Sequence, residues 1–371
     1  MHKKIFFSEY TIFSTNTHHL NVALAYNVKP ESDAFIQSVS PIRKNPVTNS
    51  QLITQDTFAE WDTMETISAV RDALSVFHNV TMIEADLNAF EKFKDASPDI
   101  VFNIAEGFFG VSRESQIPAM LDMLNIPYTG SDPLTLSVCL DKSRAKEILT
   151  YYNIPNAKFK VVDSLNNLDH FNLNFPAIVK PVAEGSGKGI YSSSFVNNKN
   201  ELLKEVERIL NEYNQPALVE EFLPGKEFTA AILGNNEEAK VLPLIEIDFA
   251  PFPEDFVPIY SYEAKWILDT KENQLDIFSC PAKIDRTLEE KIKKVSLAAY
   301  KVLRCKDWSR IDLRLDSNGE PNIIEINPLP GILPDPKENS CFPKAARAAG
   351  MNYEVMINSV LFAAAKRYGL V

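Results

Sequence analysis

Four polar side chains occupy alternate positions of one predicted β-hairpin, in the segment SRIDLRLDSNGEPNIIEINPLPG at residues 309–331. The dipeptide Asn-Gly at 318–319 is a strong signal for a two-residue type I′ turn. With that turn, Asp312 faces Glu325 and Arg310 faces Asn327 across the ladder, and all four share one face. The other face is predicted to be apolar and to carry Ile311, Leu313, Ile324 and Ile326.

Two carboxylates held opposite each other need a cation. Directly opposed side chains have Cβ atoms about 5 Å apart, and like charges there destabilise a sheet. Asp312, Glu325 and the amide oxygen of Asn327 are ligands that suit Mg²⁺ or Mn²⁺. An exposed charged face on an edge hairpin is the alternative. The NPLPG stretch that follows favours a metal site, because a Gly-Pro loop can aim backbone N–H groups at a ligand.

A glycine-rich loop follows a second apolar strand in FPAIVKPVAEGSGKGI, residues 175–190. Lys180 ends the strand, and the loop contains Gly185, Ser186, Gly187 and Gly189. Such loops let backbone N–H groups approach phosphates, and a lysine adds a point charge. The spacing matches neither the Walker loop nor the dinucleotide fingerprint. Phosphate binding and a plain surface turn are both open on this stretch alone.

Three glutamates lie beside apolar strand positions in ALVEEFLPGKEFTAAIL, residues 217–233. The two strands around this connection could pack against the flat base of a nucleotide while one carboxylate binds the ribose hydroxyls. Solvated charges at strand ends are the alternative for Glu220, Glu221 and Glu227.

Strand and helix signals alternate over residues 20–130, which predicts an N-terminal parallel α/β domain at 1–130 with an extension to about residue 20. NVALAY, MIEAD and DIVFNIAEG are predicted strands, and TMETISAVRDALSVF is a predicted helix. Open parallel sheets bind ligands beyond the carboxyl ends of their strands.

Two further blocks are predicted at 131–219 and 220–371. The first contains the helices DKSRAKEILTYYN and NKNELLKEVERILNEY and the strands KFKVV and FPAIVKPV. The second contains the strands VEEFL, EFTAAIL and VLPLIEI, the hairpin, and the helices TLEEKIKKVSLAAYKVL and YEVMINSVLFAAAKRY. The connection at about 246–282 is rich in proline and aromatic residues, and long ordered connections are often functional lids.

Charge and composition exclude several classes of protein. The 371-residue chain has a formal net charge of −12, which argues against a nucleic-acid-binding surface. No apolar run is long enough for a membrane span, and MHKKIFFSEY is too short in apolar residues for a signal peptide. The four cysteines show no C-x-x-C spacing, which predicts reduced thiols in a cytoplasmic protein.

Taken in order, these segments resemble the ATP-grasp superfamily and are most similar to its D-alanine–D-alanine ligase branch. The resemblance rests on VFNIAEG, LDMLNIPYTGSDPLTLSVCLDKSRAK, FPAIVKPVAEGSGKGI, LVEEFLPGKEFTAAIL, YSYEAKW and the hairpin. It implies a parallel α/β pre-ATP-grasp domain followed by two α+β domains that clamp ATP, the central one at 131–219 and the C-terminal one, with the metal site, at 220–371.

The resemblance implies a role for each matching position. Lys142 and Lys180 would hold ATP phosphates, and Glu184 to Gly189, including Gly185, Ser186 and Gly187, would form the flap over them. Glu220, Glu221, Phe222 and Leu223 would bind adenine, and Glu227 would bind ribose. Lys265, in the lid-like connection, would also bind ATP. Asp312, Glu325 and Asn327 would bind Mg²⁺ or Mn²⁺, two ions in all. Arg310, Gly331 and Ser186 would act on the transferring phosphoryl and acyl groups.

The chemistry implied is amide formation through an acyl phosphate, with ATP and a divalent metal as cofactors and small carboxylate and amine substrates as partners. No nucleic acid or membrane partner is expected, and a homodimer is implied by analogy. A nucleotide-binding protein without ligase turnover, a ligase for a metabolite that is not an amino acid, and an ATP-grasp carboxylase or kinase-like enzyme are the alternatives.

The substrate region departs from the family pattern. Glu31 is only a positional match for the glutamate that binds the first substrate's amine. The usual histidine is Glu106, the lid tyrosine is Trp266, and the usual Ser-Leu pair falls near Pro336 and Lys337. Lys337 could bind a carboxylate as a point charge. Glu106 suggests a cationic group near the donor pocket, so the pattern predicts an altered substrate pocket around Glu31, Glu106, Trp266 and Lys337.

Overall fold

A computed structural model of the protein describes residues 19–30, 58–107, 109–170, 172–252, 256–265 and 275–371. The helices are α1 Met64–Ser75, α2 Ala89–Ala96, α3 Gln116–Leu124, α4 Pro133–Leu140, α5 Lys142–Tyr151, α6 Lys199–Glu212, α7 Arg286–Val302, α8 Cys341–Ala348 and α9 Tyr353–Arg367. The strands are β1 Asn21–Tyr26, β2 Asn79–Glu84, β3 Ile100–Asn103, β4 Phe159–Val162, β5 Ala177–Pro181, β6 Phe195–Val196, β7 Ala217–Glu221, β8 Glu227–Leu233, β9 Lys240–Val241, β10 Ile245–Ile247, β11 Phe278–Ser279, β12 Trp308–Leu315 and β13 Pro321–Asn327. None of the helices in these ranges combines the length and apolarity that crossing a membrane requires.

The first sheet is parallel, in the order β2-β1-β3, as the alternating pattern predicts. Its central strand is buried on both sides. Val22 and Leu24 of β1 pack with α1 and α9, whereas Ala23 and Ala25 pack with α2 and α3. Burial of both faces explains the continuous apolar run of NVALAY.

A second sheet is antiparallel, in the order β4-β7-β5-β6, and it packs on one face against α6. This helix begins where the Asn198 side chain accepts hydrogen bonds from the Asn200 and Glu201 N–H groups. Its buried residues, Leu202, Val206 and Ile209, recur at helical spacing.

The third sheet has the order β11-β10-β8-β12-β13, with β9 paired to β8. Ile311, Leu313, Ile323 and Ile326 share a buried cluster with residues of α7. The opposite face therefore remains for the polar residues of β12 and β13.

The hairpin keeps the predicted pairs but not the predicted turn. Asp312 lies opposite Glu325 and Arg310 opposite Asn327, yet Leu315 lies opposite Pro321. The Asp316 N–H donates to the Glu320 carbonyl, so three residues, 317–319, form the loop. The prediction of a two-residue turn is wrong because the Asp316 carboxylate accepts the N–H groups of Asn318 and Glu320 and so stabilises a longer turn.

A bulge at Ile324 compensates for the extra loop residue. The register shifts between Asp312 and Leu313, where Leu313 pairs with Ile323 and leaves Ile324 as the additional residue. Ile324 consequently lines the cavity described below, not the apolar face predicted for it, which Ile323 occupies instead. The bulge restores the register that places the two carboxylates opposite each other.

Candidate active site

A cavity of about 400 Å³ lies between the second and third sheets and is bordered by residues 59–63. Of the residues singled out in the sequence, it is lined by Lys180, Ser186, Gly187, Glu220, Glu221, Phe222, Leu223, Glu227, Lys265, Arg310, Asp312, Glu325 and Gly331. The lining does not include Lys142, Glu184, Gly185, Asn327, Glu106 or Lys337. Glu31 and Trp266 lie outside the described residues.

The cavity floor carries the polar face of β12 and β13. The Thr229 hydroxyl on β8 donates to Asp312 Oδ1 at 2.8 Å, and Arg310 donates to Asp312 Oδ2 at 3.0 Å. Glu325 Oε1 is 2.9 Å from Lys142 Nζ at the start of α5. Lys142 also donates to the Glu184 carbonyl. It therefore joins the floor to the glycine-rich loop from behind the cavity wall.

The floor suits a divalent cation. Asp312 and Glu325 are directly opposed, which is unfavourable unless positive charge lies between or beside them. Arg310 and Lys142 supply that charge here. Two carboxylates plus the amide oxygen of Asn327, which accepts the Leu329 N–H at 3.1 Å, form an oxygen-only donor set. Such a set fits Mg²⁺ or Mn²⁺.

Arg310 has an unused donor. Within the described ranges, its Nε is buried and has no hydrogen-bond partner. Burial would lower the pKa of Arg310, but Asp312 and Glu325 outweigh it and hold the guanidinium charged. A buried donor without an acceptor costs about 1–3 kcal/mol, so this N–H suits an anionic ligand in the cavity.

Lys180 is paired inside the wall of the cavity. Its Nζ forms an ion pair with Glu220 Oε2, and Lys146 Nζ lies 2.5 Å from Glu220 Oε1. Each of the three side chains is at most 5% exposed. Burial tends to raise the pKa of Glu220, but the two lysines outweigh it and lower the pKa. Burial and Lys180 together lower the pKa of Lys146.

The glycine-rich loop is attached to residues before α1. The Gly185 N–H donates to Glu60 Oε1 at 2.7 Å, and a Cβ at Gly185 would meet the same oxygen at 2.7 Å. Arg113 donates to both carboxylate oxygens of Glu60, and Lys188 Nζ lies 3.6 Å from Oε2. Burial tends to raise the pKa of Glu60, but Arg113 and Lys188 lower it to about 2.

Arg113 extends the same network to the loop itself. It donates to the Ala183 carbonyl at 3.0 Å and to Glu184 Oε2 at 3.2 Å. Lys188 lies 2.6 Å from Glu184 Oε2. Gly187 has a φ of +76°, a left-handed conformation that favours glycine, and a Cβ at position 185 would displace the Glu60 carboxylate, so the loop sequence fits this conformation.

Three further acidic residues, Asp62, Glu106 and Glu114, lie near Glu60. Burial raises the pKa of Asp62, which lines the cavity, to about 7. Burial, followed by repulsion from Glu114 and Glu60, raises the pKa of Glu106 well above its usual range. Burial is also the largest cause that raises the pKa of Glu114 to about 8. Glu106 does not line the cavity, and its burial near Glu114 and Glu60 favours its protonated form.

Another part of the cavity lining comes from the loop before α8 and from the first residue of that helix. Gly331, Ser340 and Cys341 line the cavity, and the Ser340 hydroxyl donates to the Gly331 carbonyl at 3.1 Å. Among the described residues, none accepts the Gly331 N–H. Lys337 lies outside the lining, because Asp335 accepts its backbone N–H in a turn ahead of Ser340.

Sequence reasoning missed several residues of this site, above all Glu60, Arg113, Lys146, Lys188, Ser340 and Cys341. Glu60 could have been suspected from its position just before α1, whose first turn follows the Thr63 N-cap. Arg113 has no comparable signal, since its contacts reach Glu60 and Ala183 across 53 and 70 residues.

Comparison with known proteins gives consistent matches. A family model described as the D-ala D-ala ligase C-terminus matches residues 148–362. A D-alanine–D-alanine ligase of Pelotomaculum thermopropionicum is 32% identical over 318 residues, which cover 83% of this chain and 93% of the relative. A Sinorhizobium fredii protein called y4sG is 34% identical over 300 residues, covering 78% of this chain and 84% of that protein.

Solved structures match over nearly the whole chain. A D-alanine–D-alanine ligase of Bacillus anthracis, crystallised with ATP, has a TM-score of 0.65 at 21% identity and covers 95% of this chain and 99% of its own. The VanG D-Ala:D-Ser ligase of Enterococcus faecalis has a TM-score of 0.66 at 20% identity, with 93% and 99% covered. These matches confirm the predicted ATP-grasp fold.

Proposed function

The chain belongs to the D-alanine–D-alanine ligase family, and we propose on this basis that it is an ATP-dependent carboxylate–amine ligase. The observation that best supports this activity is the cavity floor. There Arg310, Asp312 and Glu325 face one cavity together with Lys180, so cationic donors and metal-binding oxygens converge where a nucleotide could bind.

The reaction needs one phosphoryl transfer and one acyl transfer. An oxygen of the donor carboxylate forms a bond to the γ-phosphorus of ATP, and the bond to ADP breaks. The acceptor amine then attacks the acyl carbon, loses a proton, and displaces phosphate. Negative charge spreads over the transferred group in the first step, so positioning and charge stabilisation supply most of the catalysis.

Residues in and around the cavity have complementary roles in this proposal. Lys142 and Lys180 bind phosphate oxygens, and Gly187 belongs to the loop over them. Asp312, Glu325 and Asn327 would hold Mg²⁺ or Mn²⁺, which neutralises phosphate charge when bound. Arg310 donates its unused Nε–H to the transferring group. The Gly331 N–H donates to the acyl oxygen.

Glu60 is the better candidate for the donor's amine. It lines the cavity and stays ionised, whereas Glu106 lies behind the wall. Asp62 also lines the cavity and adds an acidic group near Glu60, which favours a donor with a further cationic group. Ser340 and Cys341 replace Lys337 as the residues nearest an acceptor. A homodimer and a cytoplasmic location are part of the proposal through family resemblance, and the free cysteines agree with a reducing compartment.

The first experiment is ADP release with Mg-ATP and a matrix of D- and L-amino acids, including basic ones, and simple amines, singly and in pairs. We expect release only when two partners are present. Asp62→Asn should weaken turnover of basic donors more than that of alanine, whereas Glu106→Gln, outside the cavity lining, should affect both donors alike. Thermal stabilisation by Mg-ATP without ADP release for any pair would favour the alternative of a nucleotide-binding protein without turnover.

Replacing Arg310 by methionine should lower kcat by about 10²- to 10³-fold, because it removes a donor that acts on charge developing in the transition state. Affinity for ATP should change little. Steady-state kinetics and nucleotide titration separate the two quantities. Arg144→Met is the matched control, since Arg144 is exposed and pairs with Glu147 on the surface of α5. Equal losses in both variants would contradict the role of Arg310.

A further inference from the structure

Arg314 is a buried arginine that lines the same cavity and that the sequence motifs did not single out. Arg314 follows Asp312 by two residues on β12, so both share the cavity face. It is 5% exposed. Its Nη1 donates to Glu227 Oε2 at 3.0 Å, and its Nε donates to the Gly225 carbonyl at 3.1 Å.

Arg314 also contacts two aromatic rings and the long connection. Its guanidinium carbon lies 4.5 Å from the centre of the Phe222 ring and 5.5 Å from that of Phe249. Nη1 donates to the Pro258 carbonyl at 2.7 Å. One side chain therefore fixes a ring of the predicted adenine site, the predicted ribose carboxylate and the connection at 246–282.

The stability of the fold alone does not explain this arrangement. Burying an arginine and a glutamate together is often no better than packing apolar side chains of the same volume. It is, however, a good device for orientation, because the planar guanidinium fixes the plane of a carboxylate and stacks on an aromatic ring. Among the described residues, Glu227 Oε1 has no hydrogen-bond donor, which leaves it available to a ligand.

We propose that Arg314 is the positioning residue of the nucleoside end of the cavity: it holds Glu227 so that the free carboxylate oxygen accepts the ribose hydroxyls, and it holds Phe222 against the base. The inference rests on the proposed ATP-dependent activity and deepens it. It assigns selectivity for a ribonucleotide over a 2′-deoxyribonucleotide to the pair of Arg314 and Glu227.

The test compares binding of Mg-ATP and Mg-2′-deoxyATP by calorimetry. The unaltered protein should prefer ATP by about 10-fold or more, as expected when a buried acceptor is left without its hydrogen bond. Arg314→Met should reduce that preference to within about twofold and weaken ATP binding by a similar factor. Glu227→Gln should have a comparable effect, and the double variant should lose little more, because the two residues act as one unit.

Lys226→Met is the matched control, since Lys226 precedes Glu227, is 59% exposed and pairs with Glu246. It should keep the preference for ATP. If Arg314→Met does not fold, Arg314→Lys replaces it in the same test. A lysine keeps the positive charge but lacks the planar guanidinium that orients a carboxylate. We expect it to lose the preference as well.

Two results would overturn the inference alone: an unaltered protein that binds both nucleotides equally, or an Arg314 variant that binds ATP weakly but keeps the full preference. The second result would make Arg314 merely structural. Failure of the unaltered protein to bind either nucleotide would overturn the proposed function together with this inference.

Discussion

Replacing Asp312 by asparagine should lower ligase turnover by about 10³-fold or more. Charge stabilisation by a divalent ion contributes several kcal/mol at a transition state, and each 1.4 kcal/mol is about tenfold in rate. Asp312 is the residue that both faces Glu325 across the ladder and accepts a hydrogen bond from Arg310. The substitution therefore weakens metal binding and also releases the arginine that acts on the phosphoryl group.

ADP release measured across a range of Mg²⁺ concentrations tests this prediction. The rate should remain low even at high Mg²⁺, because Arg310 stays misplaced when the ion is restored by mass action. Asp316→Asn is the matched control on the same hairpin. Asp316 lies at the loop and accepts only backbone N–H groups, which asparagine can still do. Full recovery of Asp312→Asn by added metal would show that Arg310 does not depend on Asp312.

Replacing Glu220 by glutamine should lower the free energy of unfolding by about 3–5 kcal/mol, which is the usual loss when one partner of a buried ion pair is removed. Lys146 and Lys180 would then share a site in which each is at most 4% exposed and neither has a counter-charge there. Urea denaturation of the ligand-free protein measures the effect. Mg-ATP should return part of the lost stability, because its phosphates give Lys180 a new partner.

The neighbouring Glu221→Gln is the control, since Glu221 pairs with the exposed Lys158 at 3.8 Å and accepts hydrogen bonds from Asn174. It should change stability by less than about 1 kcal/mol. Adding Lys146→Met to Glu220→Gln should recover stability, because it removes one of the two unpaired charges. A double variant that is less stable than Glu220→Gln would mean that Lys146 contributes through packing and not through charge.

Local patterns were sufficient for the elements that carry the nucleotide site. The alternation of β12 and β13 predicted the pairs Asp312–Glu325 and Arg310–Asn327, and both are observed. The alternation of β12 keeps Arg310 and Asp312 on one face whatever the turn, and on β13 the bulge at Ile324 restores the register that the longer loop would otherwise shift by one residue. The turn was mispredicted because an Asp side chain three residues before Gly319 competes with the Asn-Gly signal.

The substrate end was less predictable because long-range contacts determine it. Glu60 contacts Arg113 across 53 residues of sequence and Gly185 across 125 residues. The periodicity of a single helix or strand cannot predict contacts between residues so far apart in sequence. Position in a loop does not predict which residues face a cavity: Lys337 lies in a turn with Asp335 outside the lining, whereas Ser340 and Cys341 line the cavity. Their role in binding an acceptor remains a prediction.

We expect the hydrogen bond from Gly185 to Glu60 to link binding of the nucleotide to binding of the amino substrate. A phosphate that captures the Gly185 N–H would release one oxygen of Glu60, and an amine that binds Glu60 would release the N–H. Each ligand removes a contact that competes with the other. Nucleotide and amino substrate should therefore increase each other's affinity by the same factor, so that the loop acts as a heterotropic coupler within a single chain.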